Sequence, residues 1–572
     1  MMNEKNLIEE KEYLRNVLGY VDKMIIDTKE EHDYNKKEYE DIALPDLEQK
    51  SYFRKCKEKV FKTEERINYL KEFRKNTHFG RMDLELKEGS LTESLIMYLG
   101  EKSINDGIRN IVYDWRSPVG NLYYMSNQED FKFNETVYEL NLKRQIEIDN
   151  SEIVNIYDSF IKGSDLNVTD NFLIKVLENK KNRNEFTDII KTIQSNQNAI
   201  IRDSLETNSI IQGVAGSGKT VVLLHRLSYL LYNYPTIDKE KLAFITPSKI
   251  FQSKLSKINR SLSLTSLKMF PMEDYYHNKI KEYIPPIKIK SVIKDDYKKE
   301  VLEFIYSDDY NDYLENIINE YRKTDNSKKK ENIKIIMDLI FKDLKIKFNL
   351  KKKSWLEDKK CIKAFAFTIL KIYNLYGFTA YTDFNYLFID EMQDYSDNEY
   401  KLINDLEKKC YLNLYGDVEQ AILPYIKKKT LDGLSNLLKD IKQTDNVNVY
   451  KLSENYRNSR QIINYCNQFL KVKMLAMGIS SDEVKVSDIY KKDVIKEIID
   501  NYDKNVVVIV NDTHLLEEIS ELGYEAYNVK NAKGLEFSKV VVIEDYFMET
   551  EKYVAYTRTL DKLYIYKLKT DN

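Results

Sequence analysis

Apolar residues near the start of the chain recur at the three- and four-residue spacing of a helix face. Leu7, Leu14, Val17, Leu18, Val21, Met24 and Ile25 form one stripe, and Leu47, Phe53, Val60, Ile67 and Leu70 form a second. Between them runs Glu38-Tyr39-Glu40-Asp41-Ile42-Ala43-Leu44-Pro45-Asp46, acidic and carrying a proline that disfavours unbroken helix. The pattern predicts an antiparallel coiled-coil hairpin over residues 1–78 with an acidic tip. Strand character follows. Tyr98-Leu99-Gly100, the Asn105-Asp106-Gly107 turn signal, Ile111-Val112-Tyr113-Asp114-Trp115-Arg116-Ser117-Pro118 and Leu122-Tyr123-Tyr124 read as strands of a small α+β domain over 79–190, with Trp115 in its core.

From Ile210-Ile211 onward the pattern is strand, turn, helix. Gly213-Val214-Ala215-Gly216-Ser217-Gly218-Lys219-Thr220 separates that apolar pair from the helical Val221-Val222-Leu223-Leu224-His225-Arg226-Leu227. Gly213, Gly216 and Gly218, with Ser217 among them, let backbone N–H groups close around the β- and γ-phosphates of a nucleotide. Lys219 adds a point charge to those phosphates, and the Thr220 hydroxyl is placed to bind Mg²⁺. Downstream, Leu387-Phe388-Ile389-Asp390-Glu391 is an apolar strand ending in two acids. Asp390 is suited to hold Mg²⁺ through water opposite Thr220, and Glu391 to deprotonate the attacking water. The order of elements predicts a parallel α/β sheet with ATP and Mg²⁺ at its carboxyl edge.

Composition narrows the field. The 572 residues exceed what one core organises, so several domains are expected. A net charge of -3 gives no global basic footprint, and any polyanion site must be a local patch. Residues 261–365 read as a helical basic insertion, densest at Lys328-Lys329-Lys330 and Lys351-Lys352-Lys353. Such runs contact phosphates if they share a face and otherwise form a solvated surface. Cys56, Cys361, Cys410 and Cys466 are too scattered for a paired metal-ligand spacing or a disulfide framework, which suits a reducing cytosol. The start is charged helix rather than an apolar signal segment, and no run is long enough to span a bilayer. A cytoplasmic protein without a membrane partner is expected.

Further short motifs fall in a fixed order. They are Gln194-Ser195-Asn196-Gln197, Asp390-Glu391-Met392-Gln393-Asp394, Tyr415-Gly416-Asp417-Val418-Glu419-Gln420, Leu452-Ser453-Glu454-Asn455-Tyr456-Arg457, Lys533-Gly534-Leu535-Glu536-Phe537 and Val554-Ala555-Tyr556-Thr557-Arg558. The series resembles the UvrD/Rep-like branch of the superfamily 1 helicases. That resemblance implies two RecA-like P-loop lobes with ATP between them. It also implies that Gln197 reads the adenine edge, Gln420 senses the γ-phosphate and Tyr456 stacks on the adenine. Arg457 would reach the γ-phosphate from the second lobe, Gly534 and Glu536 would lie near the ribose, and Arg558 would be a second arginine finger.

The helical hairpin, Phe79-Gly80-Arg81-Met82-Asp83, Asp114-Trp115-Arg116-Ser117-Pro118 and Leu224-His225-Arg226 are similar to the HelD family, helicase-like ATPases associated with bacterial RNA polymerase. This resemblance implies an arm that enters the polymerase secondary channel, its tip acids Glu38, Glu40, Asp41 and Asp46 facing the catalytic centre. It implies a first lobe over 191–260 and 366–444, interrupted by the helical insertion, a second lobe over 445–572, and a monomer acting on DNA or RNA. Two departures bear on activity. Gln420 is followed by Ala421-Ile422-Leu423-Pro424-Tyr425-Ile426, without the aromatic-Arg-Gly-Ala element on which unwinding members stack bases. The stretch from Phe469 to Val529 is too short for their extra subdomain. The leading expectation is an ATP-driven machine that binds RNA polymerase and releases it from nucleic acid. The alternatives are a 3′-to-5′ DNA helicase or translocase in repair, and a binding factor that ATP merely switches.

Overall fold

The computed structural model describes residues 4–41, 50–87, 94–125, 131–133, 136–163, 190–255, 259–260, 262, 264–265, 267–281, 283, 288–290, 299–322, 329–350, 360–378, 384–468, 470, 473–478, 480–489 and 499–569. They fall into two compact units that divide between Arg202 and Asp203.

In the first unit the helices Glu4–Glu40 and Lys50–Lys75 run antiparallel. Arg74 pairs with Asp22 at 2.7 Å, His32 meets Thr63 at 3.0 Å and Lys59 lies 3.8 Å from Glu38, so rising numbers on one helix meet falling numbers on the other. The expected stripes supply Leu14, Val17, Val21 and Ile25 on one side and Ile67 and Leu70 on the other, all buried. Asp46 and Leu47 lie outside the described residues.

A seven-stranded sheet follows, in the order Ile104–Asn105, Asn110–Asp114, Ser94–Gly100, Gly80–Leu86, Thr136–Asp149 and Phe131–Phe133, with Glu152–Ile161 also pairing on Thr136–Asp149. Its pairings are antiparallel except that of Ser94–Gly100 with Asn110–Asp114. The first helix is tied to this sheet by a buried charge. Glu10, fully buried, accepts from Arg81 Nη1 and Arg144 Nη1, each at 2.8 Å, and from the Tyr98 hydroxyl at 3.1 Å. Arg81 also forks onto Asp83 at 2.7 and 2.8 Å, and Arg144 onto Asp158, so the cluster satisfies its charges in pairs. Trp115 is buried, as expected.

One expectation fails here: Leu122-Tyr123-Tyr124 is the end of a helix, Pro118–Tyr124, and not a strand. Ser117 caps it by accepting from the Gly120 amide, and Pro118 at its first turn forfeits no needed N–H.

Among its described residues the second unit contains two large, wholly parallel sheets, besides the two-stranded parallel pairs Lys288–Lys290 with Lys360–Ile362 and Glu454–Asn455 with Leu475–Ala476. The larger has the order Lys268–Pro271, Leu242–Thr246, Tyr386–Ile389, Tyr411–Gly416, Asn208–Gly213, Val447–Leu452. Its edge strands come from outside the ranges read for the first lobe. Lys268–Pro271 lies within the stretch read as helical insertion, and Val447–Leu452 within that read as second lobe. The helices Lys299–Ile305, Asp308–Arg322 and Lys329–Phe348 bury Leu302, Leu314, Ile336 and Ile340 in one apolar cluster with Ile210, Ala243 and Leu414 of that sheet, so their core is continuous with it. The densest lysine clusters, 328–330 and 351–353, lie outside the described side chains. The smaller sheet has the order Lys485–Ile489, Thr559–Leu568, Phe537–Glu544, Val507–Ile509, Glu525–Tyr527. No helix among the described residues is long and apolar enough to cross a membrane.

Candidate nucleotide site

Three neighbouring strands of the larger sheet end together. Ile389 pairs with Leu414 and Leu414 with Ile210, so the segments starting at Asp390, Asp417 and Val214 leave the same carboxyl edge. The loop from Gly213 turns directly into the helix Lys219–Asn233, whose first-turn N–H groups and dipole favour an anion. Gly216 has φ 69°, and a Cβ there would stand 2.7 Å from Asn455 Nδ2 and 2.8 Å from Arg457 Cβ, so glycine is demanded twice over.

Lys219 is half-buried, and its ammonium donates to the Gly213 and Val214 carbonyls at 2.9 Å each. Burial lowers its pKa against the opposing pull of Asp417, Glu391 and Asp390. The Thr220 hydroxyl donates to Asp390 Oδ2 over 2.6 Å, which brings both candidate Mg²⁺ ligands to one point. Asp390 is pushed up to about 6 by burial and by Glu391 beside it. Glu391 sits at φ 53°, in left-handed backbone, and Gln393 donates to its carboxylate. Burial acts to raise its pKa, but Lys533 and Lys219 outweigh that and hold it below the usual range.

The smaller sheet and the crossover that leads to it bring in the cations. The starts of Phe537–Glu544 and Thr559–Leu568 are in register, and the Phe537 amide donates to the Arg558 carbonyl, which sets Glu536 beside Arg558. Arg558 is 4% exposed, with Nη2 3.5 Å from Gln420 Oε1, and burial together with nearby Arg457 brings its pKa down to about 10. Arg457 Nε is 3.1 Å from Glu536, while its buried Nη1 has no hydrogen-bond partner among the described residues. An orphaned guanidinium N–H beside a phosphate loop fits an anionic oxygen. One main-chain bond stitches the crossover between the sheets to the loop, Tyr456 N–H to the Gly216 carbonyl at 3.1 Å, while Val214 N–H to the Leu452 carbonyl at 3.0 Å extends the ladder of the larger sheet's edge strand into the loop.

Lys219, Thr220, Asp390, Glu391, Gln420, Tyr456, Arg457, Glu536 and Arg558 thus surround one loop. Gly534, at φ 80°, turns the chain two residues before Glu536. Gln197 belongs to the first unit, where its side chain accepts from the Gln194 amide at the start of the helix Ser195–Ile201. Sequence reasoning gave no role to Lys533, which donates to both Asp394 oxygens at 2.7 and 2.9 Å, nor to Tyr553 and Asp417, joined at 2.8 Å. Lys533 and Asp417 lay inside quoted motifs, a usable signal. Tyr553 lay one residue outside one.

Three family models match the chain. The N-terminal domain of DNA helicase IV HelD matches residues 7–171, an AAA domain matches 196–425, and a viral superfamily 1 RNA helicase core domain matches 374–567. No curated protein matches. Among solved structures, the arterivirus nonstructural protein 10 helicase aligns at 12% identity over 78% of this chain and 79% of that one, with a TM-score of 0.27.

Proposed function

This chain is a HelD-like member of the superfamily 1 helicases, and from that premise we propose that it is an ATP-hydrolysing motor that binds RNA polymerase and releases it from nucleic acid. The observation that carries the hydrolytic half is the convergence of Lys219, the Thr220–Asp390 contact, Glu391, Arg457 of the crossover and Arg558 of the smaller sheet on a single loop. On this reading the two parallel sheets are the cores of two RecA-like lobes, and the N-terminal helix pair is a coiled-coil arm.

Lys219 and the loop amides around Gly216, Ser217 and Gly218 hold the β- and γ-phosphates. Thr220 and Asp390 hold Mg²⁺, which supplies charge neutralisation at the phosphoryl oxygens. Glu391 takes a proton from the attacking water. Gln420, Arg457 and Arg558 stabilise the charge that builds on the γ-phosphate, and the arginines do so only while the two sheets are together. Tyr456 stacks on the adenine, and Gly534 and Glu536 border the ribose.

The polymerase half is supported by the HelD N-terminal match and by the acids Glu38, Glu40 and Asp41 at the end of the first helix. A cation-containing channel between low-dielectric walls attracts such an end. The missing base-stacking element after Gln420 favours release over unwinding, with the protein working in the cytoplasm as a monomer. The test is Mg²⁺-dependent ATPase turnover of the purified chain, together with binding to purified bacterial core polymerase with and without residues 5–75. Turnover, and binding lost on deletion, are expected. Absent turnover, or undiminished affinity of the truncated chain, would overturn the reading, and robust strand displacement by the chain alone would favour a repair helicase.

A further inference from the structure

The phosphate loop is gripped at the two peptide groups that flank one residue. The Ala215 N–H donates to the Tyr553 hydroxyl over 2.7 Å, and the Ala215 carbonyl accepts from Asn455 Nδ2 over 2.6 Å. Neither partner lies on the larger sheet. Tyr553 is on the helix Glu549–Tyr556, between the last two strands of the smaller sheet, and Asn455 is on the crossover.

The Tyr553 ring packs in one apolar cluster with Val214, Ala215, Ile463 and Met474. Burial holds its phenol well above the usual pKa, so it stays protonated, and it donates to Asp417 Oδ2 at 2.8 Å. Asp417 is the junction of the network. The same oxygen accepts from Gln420 Nε2 at 2.8 Å, and Oδ1 accepts from Gln212 Nε2 at 2.8 Å and from the Glu419 amide at 3.1 Å. The Asp417 amide donates to Gln393 Oε1 at 2.9 Å, and Gln393 donates onward to Glu391. A Cβ on Gly416 would collide with Gln393 Oε1, so that approach is built into the backbone. A continuous buried path therefore runs from Ala215 through Tyr553 and Asp417 to Gln420, with a branch to Glu391.

We propose that Tyr553 is a positioning residue for hydrolysis, its hydroxyl tying the conformation of the phosphate loop to the placement of Gln420 and Glu391. A shift of the loop when phosphates fill it is passed by three hydrogen bonds to Gln420, and through Gln393 to Glu391. The inference rests on the ATPase reading above. Phosphoryl transfer depends almost wholly on positioning, so a small misplacement of these groups is felt in rate. Phenylalanine at 553 would keep the packing and leave the Ala215 N–H without its acceptor and Asp417 one donor short.

The test compares the full chain with Tyr553→Phe. Amide exchange at Ala215 without nucleotide should accelerate by about tenfold or more, as expected for one lost buried bond. The same loss should lower kcat by about ten- to a hundredfold while the affinity for ADP, which lacks the γ-phosphate, changes by less than about threefold. Asp417→Asn acts on the same path, so the double variant should fall no further than the worse single one. Faster Ala215 exchange with kcat within about twofold of the unsubstituted chain would overturn the proposal, leaving the hydroxyl a mere brace, as would additive losses in the double variant. Absence of turnover in the unsubstituted chain would remove the ATPase reading and this inference together. Normal turnover that Tyr553→Phe leaves untouched removes only the latter.

Discussion

Replacing Lys533 with methionine keeps most of the side chain's length and removes an ammonium that balances two carboxylates of the larger sheet's edge. That ammonium lies 2.7 and 2.9 Å from the Asp394 oxygens, 3.6 Å from Glu391 and 3.3 Å from the Gln420 carbonyl, on a side chain 10% exposed. Burial works against its charge, yet Asp394 and Glu391 hold its pKa above the usual lysine value. At about 3 Å and an effective dielectric constant of about 20, the attraction to one carboxylate is about 6 kcal/mol before desolvation is subtracted. Truncating one partner of a buried pair costs about 3–5 kcal/mol, because the other charge is left uncompensated. If about 3 kcal/mol of that falls on the arrangement that turns over, kcat drops by about a hundredfold. Steady-state ATPase assays at saturating Mg²⁺-ATP read the effect. The double variant Lys533→Met, Asp394→Asn removes both charges and should recover about tenfold of the loss. Turnover of the single variant within about threefold of the unsubstituted chain, or a double variant no faster than the single, would refute the electrostatic argument.

Three further outcomes are expected. Glu391→Gln should retain ATP binding, measured by equilibrium titration, while hydrolysis falls by about two to four orders of magnitude; near-normal turnover would show that Glu391 is not the base. Glu10→Ala should remove the buried carboxylate shared by Arg81 and Arg144, leaving them their outer partners Asp83 and Asp158, and cost the first unit about 3 kcal/mol, seen as an earlier thermal transition of the full chain. His78 and His225 are held neutral by burial, with pKa values lowered to about 3 and about 4. Below the unfolded value of about 6.5 the unfolded chain binds protons that the folded chain refuses, so their contribution is present above pH 6.5 and is lost as pH falls toward 4. Each should cost about 2 kcal/mol by pH 5 in urea unfolding, and His225→Leu should flatten that slope.

What the sequence disclosed is what chemistry requires to be contiguous. Gly213–Thr220 and Asp390–Glu391 could be read because a phosphate cradle and a metal–base pair need fixed neighbours along the chain. The two helices showed because Leu14, Val17, Val21 and Ile25 repeat with the helical period. Tyr553 was invisible because its meaning lies in a bond to Ala215, 338 positions away. Lys533 was quoted only as a motif letter, since nothing local announces the carboxylates it meets. Leu122-Tyr123-Tyr124 misled because three apolar residues carry no period, whereas Ser117-Pro118 just upstream is a helix-start signal. The strands Lys268–Pro271 and Val447–Leu452 escaped because edge strands are short or mixed in polarity and lack the apolar run of a buried one.

The crossover through Tyr456 has a mechanical consequence. A pivot remote from the ligand would let the two sheets swing while the loop stayed at rest. Here the fulcrum and the loop share a main-chain hydrogen bond at Gly216, so a rotation between the sheets pulls on the loop. The loop works on the short arm of a lever whose long arm is everything carried beyond the crossover, and a slight displacement at the phosphates is multiplied with radius. Because this gearing is made of backbone, side-chain substitutions should change how hard the machine pushes and leave the length of its stroke alone.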